Sequence, residues 1–231
     1  MKKPFEDLFA RYDRLVVFDT ETTGLRCSWD EIIEFAAAAV ECRDGVPEVT
    51  ETYDELIALS PGGFVPAEIQ KLTGITDADL REKGISKEQI CRDIGRLFSG
   101  NTLLLAYNAH FDLSFLYYLL LRGRCTDALR GKDKLDLLTV YRDRHSYPHR
   151  LCSAIETYGL AGKVVNSHRA IDDVLATVAV MEAMDREKPD LASYINLFGY
   201  NPKFGVEGKA IRSVTYRPQP YHPARPLYET V

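Results

Sequence analysis

The chain contains a short apolar run, residues 15–18, that ends directly at Asp19, with Glu21 two positions further on. A continuous apolar run of this kind predicts a central strand that is buried on both faces. In an extended strand the carboxylates of Asp19 and Glu21 project on the same side. Solvated acids at a strand end would show the same pair, so the pair alone does not establish a site.

The rest of the chain alternates between strand and helix patterns. Asp44-Gly45 predicts a hairpin turn after the first two strands, which makes the opening of the sheet antiparallel. The predicted strands are residues 32–40, 53–59, 102–106 and 135–140, and the predicted helical segments are 66–98, 111–122 and 171–183. Strands that alternate with helices after an antiparallel start predict an α/β fold with a mixed sheet flanked by helices.

Length and charge limit the possible functions. With 231 residues, of which 45% are hydrophobic, the chain is long enough for one substantial domain and a small appendage. Its formal net charge of −5 gives no global positive field for nucleic acid. A phosphate-containing partner must therefore be held by local groups or by bound cations.

Cysteine usage and hydropathy bear on the compartment. The five cysteines form no Cys-x-x-Cys pair, which favours reduced thiols and a cytoplasmic protein over a disulfide framework or a zinc site. The first residues combine acids with Pro4 and do not resemble a signal peptide. No apolar run approaches the roughly 18 residues that a membrane span needs, so we expect no membrane partner.

The composition changes near residue 200. Residues 200–231 contain a cluster of prolines and five Lys or Arg against two Glu, a net charge of +3 that leaves −8 on the body. We therefore expect a domain at 1–199 and a basic, proline-rich C-terminal extension at 200–231. Its aromatic residues Phe204, Tyr216, Tyr221 and Tyr228, with the strand-like segment 211–216, favour packing on the body or docking on a partner over disorder.

Two later segments add polar residues to the acidic pair. Asn108, Phe111 and Asp112 lie where the strand at 102–106 passes into a buried helix, and His168 precedes Asp173 by five residues. A third and a fourth carboxylate, together with a histidine, favour a functional site over isolated solvated acids. The neighbouring Asp172 competes with Asp173, and helical periodicity does not decide between them.

The three segments 17–25 (VFDTETTGL), 107–112 (YNAHFD) and 168–173 (HRAIDD) resemble, in order, the three exonuclease motifs of the DEDDh family. This family includes the proofreading epsilon subunit of bacterial DNA polymerase III. The resemblance covers about residues 12–185 and leaves the tail outside. It implies the ribonuclease H-like mixed β-sheet, and its motif spacing favours Asp173 over Asp172.

The resemblance also implies roles for individual residues. Four carboxylates, Asp19, Glu21, Asp112 and Asp173, would bind two divalent cations, Mg²⁺ or Mn²⁺, and His168 would be the general base. The residues expected to contact the terminal nucleotide are Thr22, Thr23, Gly24, Leu25, Asn108 and Phe111. His110 is expected to be structural. His145 and His149 have the spacing of zinc ligands on a helix, but Pro148 interrupts that helix and favours a surface loop.

The expected function is metal-dependent 3′-to-5′ hydrolysis of single-stranded DNA to nucleoside 5′-monophosphates, in proofreading or repair, with a DNA polymerase subunit as a candidate partner. An exoribonuclease similar to ribonuclease T or oligoribonuclease, acting on an RNA 3′ end, is the main alternative. A haloacid-dehalogenase-like phosphatase expects Asp at the position of Glu21. A non-catalytic nucleic-acid-binding module expects the loss of at least one of the four acids, and none is lost.

Overall fold

The computed structural model describes residues 3–203, 211, 213–220 and 222–231. A five-stranded mixed sheet has the order β3-β2-β1-β4-β5, with β1 at its centre. β1 is antiparallel to β2 and parallel to β4, which is in turn parallel to β5. The strands are β1 (Arg14–Thr22), β2 (Ile32–Arg43), β3 (Val46–Leu56), β4 (Thr102–Ala106) and β5 (Asp133–Asp136).

Helices cover both faces of this sheet. In chain order they are α1 (Glu6–Phe9), α2 (Ala67–Thr73), α3 (Asp77–Lys83), α4 (Lys87–Leu97), α5 (Ala109–Arg122), α6 (Leu137–Arg144), α7 (Leu151–Thr157) and α8 (Ala170–Glu187). Short 3₁₀ helices lie at Thr126–Leu129, Leu191–Tyr194 and Leu227–Thr230. The predicted mixed sheet flanked by helices is confirmed.

The alternation of side chains along β1 divides the core in two. Leu15 and Val17 pack with α8, whereas Val16 and Phe18 pack with α4 and α5 on the opposite face. The two faces explain the unbroken apolar run, because every residue in it is buried. They also decide which helix meets the acids that follow, since Asp19 and Glu21 continue the face of Val17.

One predicted strand is wrong over most of its length. Residues 135–140 were expected to form the last strand, but β5 ends at Asp136 and α6 begins at Leu137. The Asp136 carboxylate accepts hydrogen bonds from the backbone N–H groups of Leu138 and Thr139 and so caps the new helix. The apolar residues after Asp136 therefore belong to a helix face.

The described part of the tail packs on the body. β7 (Thr215–Pro218) pairs in parallel with β6 (Leu197–Tyr200), so the strand starts later than the expected segment 211–216. Gln219 is buried and its Nε2 donates to the carbonyl oxygen of Thr139 on α6 at 2.8 Å. Phe204 and Tyr221 lie outside the described residues, as does Arg212 of the expected strand. The division at residue 199 stays a prediction, and it falls within β6.

No helix in the described ranges has both the length and the apolar character needed to cross a bilayer. The five cysteines all lie in the described ranges and form no disulfide with one another.

Leu227 provides a test of the tail packing. Its side chain is buried at 3% exposure in the same core as α8, and we expect Leu227→Ala to lower the free energy of unfolding by about 2–5 kcal/mol. Urea denaturation measures the change. Val231→Ala, at a position that is 70% exposed, is the matched control and should stay within about 0.5 kcal/mol of the parent chain. Equal stability of the two variants would contradict the packing of the tail.

Candidate active site

Three candidate carboxylates meet at one edge of the sheet. Asp19 and Glu21 lie at the end of β1 and Asp173 lies in the first turn of α8, which packs on that face. One oxygen from each carboxylate can be chosen such that all three lie within 4.8 Å of one another. The structure therefore brings together residues that are up to 154 positions apart in the chain.

The carboxylates destabilise one another's charge. Burial raises the pKa of Asp19 well above its usual range, and the nearby Asp112 and Glu21 add to the effect. Burial, followed by Asp173 and Glu34, raises the pKa of Glu21 to about 8. Burial also raises the pKa of Asp173, against hydrogen bonding from Asn166. Such a cluster favours either protons or a bound cation.

Asp112 reaches the site from the opposite face of the sheet. It is buried on α5, and its Oδ1 accepts hydrogen bonds from the backbone N–H and the hydroxyl of Thr20 at 3.0 and 2.7 Å. Burial raises the pKa of Asp112 to about 7, although these bonds oppose the shift. Asp112 is thus beside Asp19 but outside the group of three mutually close carboxylates.

His168 lies just before α8 in a left-handed backbone conformation, with φ of 59°. Its side chain is exposed and lines a cavity of about 510 Å³ together with Asp173 and Asn108. Asn166 donates from Nδ2 to Oδ1 of Asp173 at 2.6 Å. The candidate base and one carboxylate of the cluster therefore line the same open cavity. Asp172, by contrast, is bound by the Ser167 hydroxyl and is absent from the cluster.

Glu34 is a residue of this site that the motif comparison missed. It is fully buried on β2, directly opposite Glu21. Its Oε2 accepts from the backbone N–H of Ala170 at 2.9 Å, and its Oε1 accepts from Nε of Arg169 at 2.8 Å and forms an ion pair with the same guanidinium. Glu34 thereby fixes the start of α8, between His168 and Asp173. The signal in the sequence was a lone acid within an apolar strand.

Asp136 has the same relation to α5. Its buried carboxylate accepts from the backbone N–H of Ala109 at 2.9 Å, while it also caps α6. It therefore fixes the start of the helix that carries Asp112. Residues 133–136 contain the corresponding signal, an acid at the end of a short buried strand, which the predicted longer strand obscured.

The loop after Glu21 is held by its own hydrogen bonds. Thr23 exchanges two bonds with Glu31, one through its backbone N–H at 2.9 Å and one to its hydroxyl at 3.0 Å. The Thr22 hydroxyl donates to the carbonyl oxygen of Gly24 at 2.6 Å. A Cβ at Gly24 would lie 2.6 Å from an oxygen of Asp30, so a larger residue there would displace the carboxylate that accepts from the Arg26 backbone N–H. Leu25 is 80% exposed at its tip.

Leu25, Asn108 and Phe111 line a common cavity of about 130 Å³. Asn108 has φ of 69° and begins α5, and the Phe111 ring packs on Phe115 at 4.8 Å between centroids. Three residues predicted to contact the terminal nucleotide therefore surround one space, and their roles stay predictions. His110 packs edge-on against Tyr216 of β7, with 5.7 Å between ring centroids.

Residues 145–150 form the expected loop between α6 and α7, but the expected surface position is wrong for His149. His145 directly follows α6, and His149 is buried with its Nε2 2.9 Å from the carbonyl oxygen of His145. The backbone between them closes back on itself, which buries the second ring. Neither histidine belongs to the potential metal-binding group found among the described residues.

The donor set of the cluster suits a hard divalent cation. Asp19, Glu21 and Asp173 offer only carboxylate oxygens, the ligands that Mg²⁺ and Mn²⁺ prefer. They contain neither thiolate nor imidazole, which a zinc site generally includes. The mutual repulsion described above would be relieved by such an ion.

Residues 16–181 match the family described as Exonuclease, RNase_T. The chain therefore belongs to the exonuclease family, and the prediction of an exonuclease is confirmed at this level. The DNA polymerase III PolC-type of Latilactobacillus sakei is 32% identical over 201 residues. That match covers 83% of this chain but only 12% of the polymerase, so the chain spans about an eighth of this relative's length.

Solved structures of Escherichia coli Exonuclease I share the fold. The complex with a dT13 oligonucleotide has a TM-score of 0.69 at 23% identity and covers 79% of this chain and 43% of that chain. The zinc ion bound form of its complex with single-stranded DNA has a TM-score of 0.67 at 22% identity and covers 79% and 42%. The predicted ribonuclease H-like fold is thus confirmed, whereas the site roles rest on the geometry above.

Because the carboxylates repel one another, a bound cation should stabilise the folded chain. We expect Mn²⁺ at about one hundred times its Kd to raise the melting temperature by roughly 5–10 °C. Asp19→Asn should remove this increase, yet it should melt no lower than the parent chain in EDTA, because it removes one of the mutually repelling charges. Differential scanning calorimetry in EDTA and in Mn²⁺ measures both effects.

Asp172→Asn is the matched control, since Asp172 neighbours the cluster without belonging to it. It should keep the increase in Mn²⁺. An identical response of the two variants would show that the cation binds elsewhere.

Proposed function

We propose that the chain is a metal-dependent 3′-to-5′ exonuclease that releases nucleoside 5′-monophosphates from single-stranded DNA, with residues 1–199 as the catalytic domain. The observation that carries this proposal is the meeting of Asp19, Glu21 and Asp173 beside the cavity that His168 lines. Membership of the exonuclease family supports it. The similar Exonuclease I structures are complexes with dT13 and with single-stranded DNA, which favours DNA as the substrate.

Asp19, Glu21 and Asp173, with Asp112 beside them, would hold two Mg²⁺ or Mn²⁺. When bound, the cations would activate water and neutralise charge at the reacting phosphate. His168 would accept the proton of the attacking water, because it is exposed to the cavity and adjoins the cluster. The negative net charge of the chain is then no obstacle to binding a nucleic acid strand, since bound cations invert the local field.

The cavity between Leu25, Asn108 and Phe111 would receive the terminal nucleoside. Leu25 is exposed and Phe111 is partly buried, so two apolar side chains that line this cavity are available to a base. The hydrogen bonds at Thr22 and Thr23 would keep the loop in place as the strand advances. Binding of a 3′ end there places the scissile phosphate next to the carboxylates.

Association with a DNA polymerase, in proofreading or repair, is part of the proposal. It is supported by the likeness to a DNA polymerase III of the PolC type, over a segment that is 12% of that protein. The free chain would hydrolyse single strands, and a polymerase would deliver mismatched primer ends to it.

Digestion of end-labelled strands tests the function. Single-stranded DNA, single-stranded RNA and a mismatched duplex, each labelled at the 5′ end, are incubated with Mg²⁺ or Mn²⁺. We expect a ladder that shortens one nucleotide at a time on DNA, with release of 5′-monophosphates and no activity in EDTA. A faster reaction on RNA would transfer the proposal to an exoribonuclease, and internal cleavage or 5′-to-3′ shortening would contradict it.

Glu34 and His168 permit a double-mutant test of positioning. His168→Ala should lower kcat by about two to four orders of magnitude, the range for loss of a general base. Glu34→Gln should lower kcat by about 10- to 100-fold, typical of residues that orient a metal site, with little change in KM. Because Glu34 holds the backbone next to His168, its effect should shrink when His168 is already alanine.

Single-turnover rates of the two single variants and the double variant give the coupling. Full additivity would show that Glu34 acts independently of His168. Melting temperatures measured alongside separate a catalytic effect from a loss of folded protein.

A further inference from the structure

Two exposed aromatic side chains lie on one cavity beside the candidate active site. Trp29, the single tryptophan of the chain, is 78% exposed and Phe64 is 66% exposed. Together with Thr23 they line a shallow cavity of about 180 Å³. Single exposed apolar side chains are common on protein surfaces. Two large aromatic side chains exposed on the same cavity are typical of a binding site.

Hydrogen bonds fix the position of Trp29. It belongs to a turn in which the backbone N–H groups of Trp29 and Asp30 both donate to the carbonyl oxygen of Arg26 at 2.8 Å. The Asp30 carboxylate closes the turn by accepting from the Arg26 backbone N–H at 2.7 Å. The indole is therefore presented to solvent by an ordered loop that continues directly from β1.

Phe64 belongs to a second loop, which is tied to the first. Glu31 accepts from the Ser60 hydroxyl at 2.9 Å and from its backbone N–H at 3.2 Å, and it forms an ion pair with Lys87. Next to Phe64, the backbone N–H of Val65 donates to the Asp77 carboxylate at 2.7 Å. The two aromatic side chains are thus held on loops cross-linked through Glu31, which lowers the entropy lost when a ligand binds.

The lining of the cavity indicates which part of a nucleotide it can take. Asp30 and Glu31 line the cavity, and among its described lining residues none is Lys or Arg. Lys87 pairs with the Glu31 carboxylate, whereas the Asp30 carboxylate accepts from a backbone N–H, so a phosphate would meet no lining cation and would be repelled by Asp30. An aromatic base would stack on the rings and could donate a hydrogen bond from a ring or exocyclic N–H to the acidic edge.

We propose that Trp29 and Phe64 form a stacking site for a base of the substrate strand other than the terminal one. This proposal rests on the proposed function. This site is separate from the cavity that would receive the terminal nucleoside, which Leu25, Asn108 and Phe111 line. The two cavities share no lining residue, although Leu25 and Trp29 both belong to the loop after β1. Thr23 lines this cavity and directly follows β1, which carries Asp19 and Glu21. A strand whose 3′ end is in the active site would therefore place a base other than the terminal one on Trp29 and Phe64.

Trp29 reports on its own site because the chain has no other tryptophan. The His168→Ala variant in Mg²⁺, chosen because its turnover is slow while its carboxylate ligands stay intact, is titrated with (dT)8 and separately with (rU)8 while tryptophan emission is recorded. Anisotropy of a 5′-labelled copy measures binding in parallel. We expect saturable quenching with the same midpoint as the anisotropy, and no quenching by thymidine 5′-monophosphate, which has only a terminal base.

Kinetics locate the contact along the strand. Trp29→Ala and Phe64→Ala should each raise KM for (dT)8 by about 5- to 150-fold, the range for losing one stacked base. Hydrolysis of p-nitrophenyl thymidine 5′-phosphate, which lacks a second base, should be unchanged. Trp29→Phe should keep most of the affinity because it keeps a ring.

Val46→Ala is the matched control. Val46 is 56% exposed and pairs with Arg43 at the hairpin between β2 and β3, at the end of the sheet opposite to Glu21. It should leave both KM values unchanged.

Emission that stays constant while either oligonucleotide saturates the anisotropy, or absence of binding by both, overturns the stacking site. An equal loss on (dT)8 and on the p-nitrophenyl ester overturns its assignment to a base beyond the terminal one. If emission is quenched but the wild-type chain shortens no labelled strand, the exonuclease proposal fails and the stacking site stands.

Discussion

Two buried carboxylates determine where the candidate catalytic acids lie. Glu34 binds the backbone N–H of Ala170 at the start of α8, and Asp136 binds that of Ala109 at the start of α5. Each satisfies an N–H group that the helix itself leaves free, and each places negative charge at the positive end of a helix dipole. Because α8 carries Asp173 and α5 carries Asp112, the two contacts bring acids from opposite faces of the sheet to the end of β1.

The same arrangement concentrates negative charge that the fold does not neutralise internally. Arg169 is the cation that contacts Glu34, and its pairing leaves Asp19 and Glu21 without a comparable partner among the contacts found in the described residues. Burial, together with the charges of the neighbouring carboxylates, raises the pKa of Glu21 to about 8. A divalent cation relieves this repulsion and at the same time attracts phosphate, so the acidity of the body suits a metal-dependent nuclease.

Most of the fold was predictable because its signals are local. The apolar run at 15–18, the Asp44-Gly45 turn and the helical periodicity at 171–183 each reported on their own segment. The prediction of a strand at 135–140 was wrong because Asp136 ends β5 and caps α6. The apolar residues that follow Asp136 are compatible with a strand or with a helix, so their composition did not reveal the change. Asp19, Glu21, Asp112 and Asp173 were found by motif, but Glu34 was not, since its role depends on α8 folding back over β2.

The contacts of the tail connect it to the second motif, residues 107–112. Tyr216 on β7 packs against the rings of His110 and Phe198, with centroid distances of 5.7 and 5.8 Å. His110 lies in the first turn of α5, two residues before Asp112. The basic extension, for which we expected packing on the body or docking on a partner, therefore supports the helix that carries a candidate catalytic acid. Its positive charge and its packing are separate properties, and the described contacts assign it to the support of the site.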